Sequence, residues 1–253
     1  MRRFLLILLG GLASTMASAQ VVNIEEQRIT STNDSVHWYG YLRGSTAFVK
    51  VREQSFQLQT QAKVQYKSAP HLVLLLLNAN LLRAGNNDIA RRAFAHLRYN
   101  FKMSETLAGE AFQQIQNSPV QLLEQRDLYG VGLRYRVLKS RDGRQRVYAG
   151  TAWAYELNRF TEPYGFSNQH RSSNYLSATF RPNAFTTVIQ TTYWQPVWGM
   201  IKNYRLSSEW VLKWSLGKHL SFNVEFDYSV DRNLPDVAPQ ETIGWRNGLS
   251  WEF

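Results

Sequence analysis

The side chains that first invite chemistry are His96, Arg98, Lys102 and Glu110. In an extended chain of period two, residues 96, 98 and 102 share one face, and a tight turn at Ser104-Glu105 brings Glu110 back toward it. Such a group can select or bind an anionic solute. It can equally neutralise itself as a salt-bridge network that fills a narrow interior. Arg134, Arg136, Glu156, Arg205, Glu209, Lys213, Glu225, Asp227, Arg246 and Glu252 continue the same mixture of signs. That mixture favours the self-neutralising network and argues against a strongly one-signed pore.

Hydrolytic chemistry has one candidate constellation. Of the five histidines, His37, His71, His96, His170 and His219, only His170 has serines close by on the side expected to face outward, Ser172 and Ser173. A serine and a base at the outer leaflet would suit an outer-membrane phospholipase. No nucleophile motif surrounds them, and they fall in a stretch, Asn158 to Ser173, that reads as a long loop; a solvated loop histidine is the simpler account. Zero cysteines exclude a thiol nucleophile, a cysteine-ligated metal and a disulfide framework. Asp231, Asp236 and Glu241 could attract calcium but lack ordered ligand spacing, so a solvated acidic loop is expected. With no phosphate loop, metal-ligand spacing or dinucleotide fingerprint, neither metal nor cofactor is expected.

The elements that must position these residues are strands. Tyr204, Leu206, Ser208, Trp210, Leu212, Trp214 and Leu216 alternate with Arg205, Ser207, Glu209, Val211, Lys213 and Ser215. After Gly217-Lys218-His219 the pattern resumes over residues 220–231, which makes a hairpin. Similar alternation marks 56–67, 93–102, 129–137 and 147–158, with weaker cases near 36–50, 71–83, 106–116, 174–182 and 186–197. The last stretch, Thr242 to Phe253, puts Trp245, Leu249, Trp251 and Phe253 on one face, like the terminal signal by which barrel-assembly machinery recognises its clients. The total is about twelve strands. Tight connections near residues 69–70, 104–105, 142–143, 182–183 and 217–218 alternate with longer ones at 158–173 and 231–241. Membrane barrels show this asymmetry, with short periplasmic turns and longer external loops, so both termini are expected on the periplasmic side. Gly130-Val131-Gly132 reads as relief of crowding on an inward face.

The charges must then face a lumen and the oily alternates the bilayer, because Lys or Arg on the lipid face near the midplane costs roughly 2 to 4 kcal/mol. Lipid leaves no strand edge unpaired, so the first strand must meet the last. A soluble barrel would reverse the faces. The membrane version accords with 13 Phe, 13 Tyr and 8 Trp, many near strand ends where interfacial girdles sit. Arg2-Arg3, the apolar run from Phe4 and Ala17-Ser18-Ala19 have the build of a signal peptide over residues 1–19, cut between Ala19 and Gln20. Residues 20–35 read as a short periplasmic leader and 36–253 as the barrel. The formal net charge of +10 is dispersed and accompanied by no nucleic-acid motif, so it suits anionic head groups or solutes.

The stretches QAKVQYKSAPHLVLLLL (61–77), AFAHLRYNFKMSETLAGEAFQQIQ (93–116), LLEQRDLYGVGLRYRVL (122–138) and YAGTAWAYE (148–156) resemble the salt-induced outer-membrane protein family, the YdiY-like domain of unknown function. The resemblance implies an outer-membrane barrel in a Gram-negative bacterium and supplies neither substrate nor catalytic residues. The expectation is therefore an all-β, transmembrane, antiparallel up-and-down β-barrel in the cell outer membrane. Its expected partners are lipid, lipopolysaccharide and the assembly machinery, and it is expected as a monomer. Its lumen is expected to pass small hydrophilic solutes, anionic ones among them, or to be plugged in a non-conducting envelope-stress barrel.

Overall fold

Alternation along each segment leaves every strand with one oily and one polar face, and hydrogen bonds that close on themselves hide the backbone from lipid. A computed structural model, which describes residues 37–50, 54–84 and 87–252, realises this as one closed ring. The strands are β1 (Trp38–Lys50), β2 (Gln54–Ser68), β3 (His71–Ala84), β4 (Asn87–Lys102), β5 (Leu107–Ser118) and β6 (Leu123–Lys139), followed by β7 (Gln145–Phe160), β8 (Phe166–Phe180), β9 (Thr186–Val197), β10 (Met200–Ser215), β11 (Leu220–Asp231) and β12 (Glu241–Glu252). Each pairs antiparallel with its sequence neighbour, and β1 meets β12 at Tyr41↔Glu252 and Leu42↔Trp251. The expected twelve-stranded antiparallel barrel is the observed one. The residues read as signal peptide and leader lie outside the described residues, as does Phe253.

The faces are as the sequence implies. Trp210, Trp214, Val131 and Leu133 are exposed on the outside, with Trp210 paired to Phe226 and Trp214 to Phe222 in register. In β12, Trp245, Leu249 and Trp251 point outward at 68%, 54% and 55% exposure. Polar side chains fill the interior, among them Lys63, His96, Glu110, Glu156, Arg205 and Asp231. Apolar side chains also lie inside, singly as at Leu128, Ile189 and Val211 and as a cluster at Leu74, Leu76 and Phe94, because β3 is apolar on both faces.

The connections differ from expectation. The Asn158–Ser173 segment is mostly strand, with only residues 161–165 forming the turn: β7 runs to Phe160 and β8 begins at Phe166. Its outward residues Asn168, Ser172 and Asn174 are polar, so the alternation that announces a lipid-facing strand is absent from its first half. At the barrel end opposite the termini, the far end, Val197 and Met200 flank another short turn. The one long connection among the described residues is 232–240, between β11 and β12. It folds inward: Leu234 and Ala238 pack on Leu123 and Phe160, the far ends of β6 and β7. Those strands lie on the opposite wall of the ring, so this loop spans the far mouth.

Candidate functional site: the charged lumen

Just beneath the capping loop, five inward positions from four strands and one strand end converge. Arg126 lies near the start of β6, Glu156 near the end of β7, Arg171 and Arg205 in the far halves of β8 and β10, and Asp231 ends β11. Arg126 Nη2 reaches 3.1 Å to Asp231 Oδ2, from one wall to the other. Arg205 donates Nη1 to Glu156 Oε2 and Nε to Asp231 Oδ2, both at 3.0 Å. Arg126 Nε donates to Asn158 Oδ1 at 2.6 Å, and Arg171 Nη1 to the Gln195 carbonyl at 2.8 Å. Arg171 Nε lies 3.2 Å from Glu156 Oε1, a charge contact in which the N–H is not aimed at the oxygen. Glu156 and Asp231 are 0% exposed and Arg126 1%, so water does not reach these side chains.

A second group lies nearer the termini. Arg98 Nη1 donates to Glu110 Oε2 at 3.1 Å, Asn100 Nδ2 to Glu110 Oε1 at 2.7 Å, and Arg98 Nε to His96 Nε2 at 3.3 Å. Tyr175 in β8 donates its hydroxyl to the same Glu110 Oε2 at 3.0 Å, spanning β6 and β7. Inward glycines make that span possible. A Cβ on Gly150 would stand 2.1 Å from the Tyr175 ring, and one on Gly130 2.2 Å from the Phe112 ring. Of the two glycines expected to relieve crowding, Gly130 thus seats the Phe112 ring, while a Cβ on Gly132 would meet the Thr151 carbonyl and Ala152. On β11 and β12, Arg246 pairs with Glu225 at 3.1 Å and with Asp227 at 2.7 Å.

The expected inward residues therefore divide. His96, Arg98 and Glu110 meet; Glu156 and Arg205 meet in the far layer; Glu225, Asp227 and Arg246 meet on the third wall. Glu209 and Lys213 face inward on β10, Glu209 in register with Asp227. Arg134 covers the Tyr148 ring at 3.7 Å, and Arg136 lies 3.7 Å from Glu105. Lys102 does not join Glu110: its amine bonds Glu105 in the turn at 2.5 Å and is half exposed, because the hairpin aligns it with Ala108. Glu252 keeps its backbone register with Tyr41; its side chain lies outside the described residues.

Arg126, Arg171 and Asp231 were not among the expected lumen residues. Two are in phase with residues that were, Arg126 with Arg134 and Asp231 with Glu225 and Asp227, and extending those alternations outward would have found them; Arg171 lies on β8, where no lumen residue was expected. The solvated acidic loop expected at Asp231, Asp236 and Glu241 is not observed at its start, since Asp231 is buried against two arginines, and Glu241 pairs with Arg232 at 3.0 Å.

The serine and histidine expected in a loop lie on a strand, where neighbours alternate sides. Ser172 points out and is hydrogen-bonded with Asn174, while Ser173 points in and accepts from Gln195 Nε2 at 2.8 Å. His170 points out among Trp153, Tyr155 and Trp198, its ring centroid 5.0 to 6.4 Å from theirs, and makes no hydrogen bond to either serine.

Residues 42–242 match the family model described as protein of unknown function, DUF481. The chain belongs to this family. No curated protein matches it in sequence. Among solved structures it is similar to the NanC porin (13% identity, 86% of this chain and 100% of that one, TM-score 0.54). It is likewise similar to an outer-membrane channel from Pseudomonas putida F1 (9%, 89% and 100%, TM-score 0.54). The translocator domain of the autotransporter NalP from Neisseria meningitidis is a third (8%, 88% and 90%, TM-score 0.52). These likenesses establish the fold, that of outer-membrane β-barrels.

Proposed function

We propose that this member of the DUF481 family resides in the bacterial outer membrane as a barrel that is shut in its resting state and does not conduct. The observation that carries the reading is the Arg126–Asp231 pair joining opposite walls with at most 1% of either side chain accessible to water. Above it, the Leu234 and Ala238 contacts with Leu123 and Phe160 place a second closure over the same mouth. Membrane lipid is the partner of the outward face, and the strand bearing Trp245, Leu249 and Trp251 is the segment assembly machinery would engage. Nothing in this reading calls for catalysis.

Planar-bilayer recording on refolded protein tests it. Sustained silence is expected, and stable single-channel steps from the unaltered chain would overturn it. A second reading, a gated passage for small hydrophilic solutes, is favoured by one observation: most of the buried side chains on the wall beneath the cap are polar or charged. The NanC and Pseudomonas putida proteins, a porin and a channel by title, share the architecture. On that reading, deleting residues 231–239, which removes Asp231 from the ion-pair layer together with the loop above it, brings steps to a silent protein; continued silence of the deletion variant leaves the barrel as a purely structural one.

A further inference from the structure

The arginines near the termini end of the lumen are balanced quite differently from those beneath the cap. Arg134 and Arg136 on β6 and Arg146 on β7 face inward on adjoining strands, with Arg136 in register with Tyr148 and Arg146 with Thr179. Arg181 follows β8 at the rim. Arg146 is 8% exposed, and its buried Nε has no hydrogen-bond partner. Its guanidinium lies toward the turn over 140–144, with Nη2 3.7 Å from where a Cβ on Gly143 would stand. Among the described residues neither Arg146 nor the Arg181 side chain takes part in an ion pair. Arg136 lies 3.7 Å from Glu105, a carboxylate that Lys102 already holds at 2.5 Å. Burial, and after it the positive charge of Arg146, lower the pKa of Arg181 from its ordinary value, so the two cations are near enough to repel.

A guanidinium kept nine-tenths out of water beside a second one is stabilised best by an anion that accepts from both. We propose that Arg146 and Arg181, flanked by Arg136, form a binding site for a small oxyanion carrying two or more negative charges, of the phosphate or carboxylate class, entering from the termini side. The rim is open to such a solute: Arg181 is exposed and the Lys102 side chain retains 52% of its surface. The site is independent of whether the far end ever opens, so silence or steps in bilayer recording leave it untouched.

The test is isothermal titration calorimetry on the complete refolded barrel in detergent, with inorganic pyrophosphate and citrate as separate probes and sodium chloride matched in ionic strength as the blank. Saturable one-to-one binding is expected for at least one probe. Arg146→Gln and Arg181→Gln are each expected to weaken it tenfold or more, while Arg141→Gln, on the exposed turn at the same rim, leaves it within twofold. Should Arg146→Gln fail to fold, Arg181→Gln carries the test, since that side chain is exposed and pairs with nothing. Absence of saturable heat from both probes overturns the site. An equal loss with Arg141→Gln overturns it too, because diffuse basic charge would then account for the binding.

Discussion

Beneath the capping loop three arginines share two carboxylates in a layer of buried side chains; at the other mouth Arg146 and Arg181 have no carboxylate, and Arg181 stands in solvent. The residue type is the same and the physics is not. In the far layer each guanidinium was stripped of water and compensated by a neighbour from another strand, so every member depends on the rest. At the near mouth water compensates Arg181 while Arg146 is buried with no carboxylate beside it, and side chains there can change one at a time. Charge inside a barrel thus serves as mortar where it is dry and as bait where it is wet.

The largest way to break this contrast is Glu156→Gln, which leaves Arg126, Arg171 and Arg205 facing Asp231 alone. It is expected to lower stability by about 3 to 5 kcal/mol, read from the urea midpoint of unfolding in lipid vesicles. Leu234→Asp tests the cover over the same layer: a side chain 5% exposed becomes charged, and a loss of about 2 kcal/mol is expected together with faster proteolysis within 232–240. Arg146→Gln, at the other end, is expected to cost no stability, because it breaks no pair and removes a buried charge that no carboxylate balances. A loss as large as that of Glu156→Gln would erase the distinction between the ends.

The smallest effect is expected at Glu105, on the near rim. Its hydrogen bond with Lys102, and then the charge of Lys102, hold its carboxyl below the ordinary 4.5. A lowered folded value contributes stability above the unfolded value and loses it as pH falls through the folded one. Glu105→Gln should therefore differ slightly from the parent at neutral pH and converge with it in acid. A difference that grows in acid would reverse the sign and refute the assignment.

Much of the architecture could be read from alternation, and the failures are local and physical. β10, β11 and β12 were legible because their outward faces are oily and their inward faces charged. The start of β8 was hidden because Asn168, Ser172 and Asn174 put polar groups on the outside, and Arg171 was hidden with it. The first residues of β6 were obscured similarly, Gln125 donating to Asp127 on the outer face near the rim. The lumen pairs belong to another class. Arg126 and Asp231 are 105 residues apart in sequence, and only closure of the ring decides that they meet. Nothing local announces that Leu234 and Ala238, in a loop carrying Pro235 and Pro239, fold back over the mouth.

Tyr175 resting on Gly150, and Phe112 on Gly130, carry a consequence for reading relatives of this chain. Ring and bare backbone occupy one shared volume, so neither partner is free to drift without the other. A relative with a branched residue at position 150 must have traded the tyrosine for something small, and with it the hydroxyl that ties Glu110 to the far side of two strands. Paired change at these sites would thus mark, from sequence alone, which cousins have a wider bore.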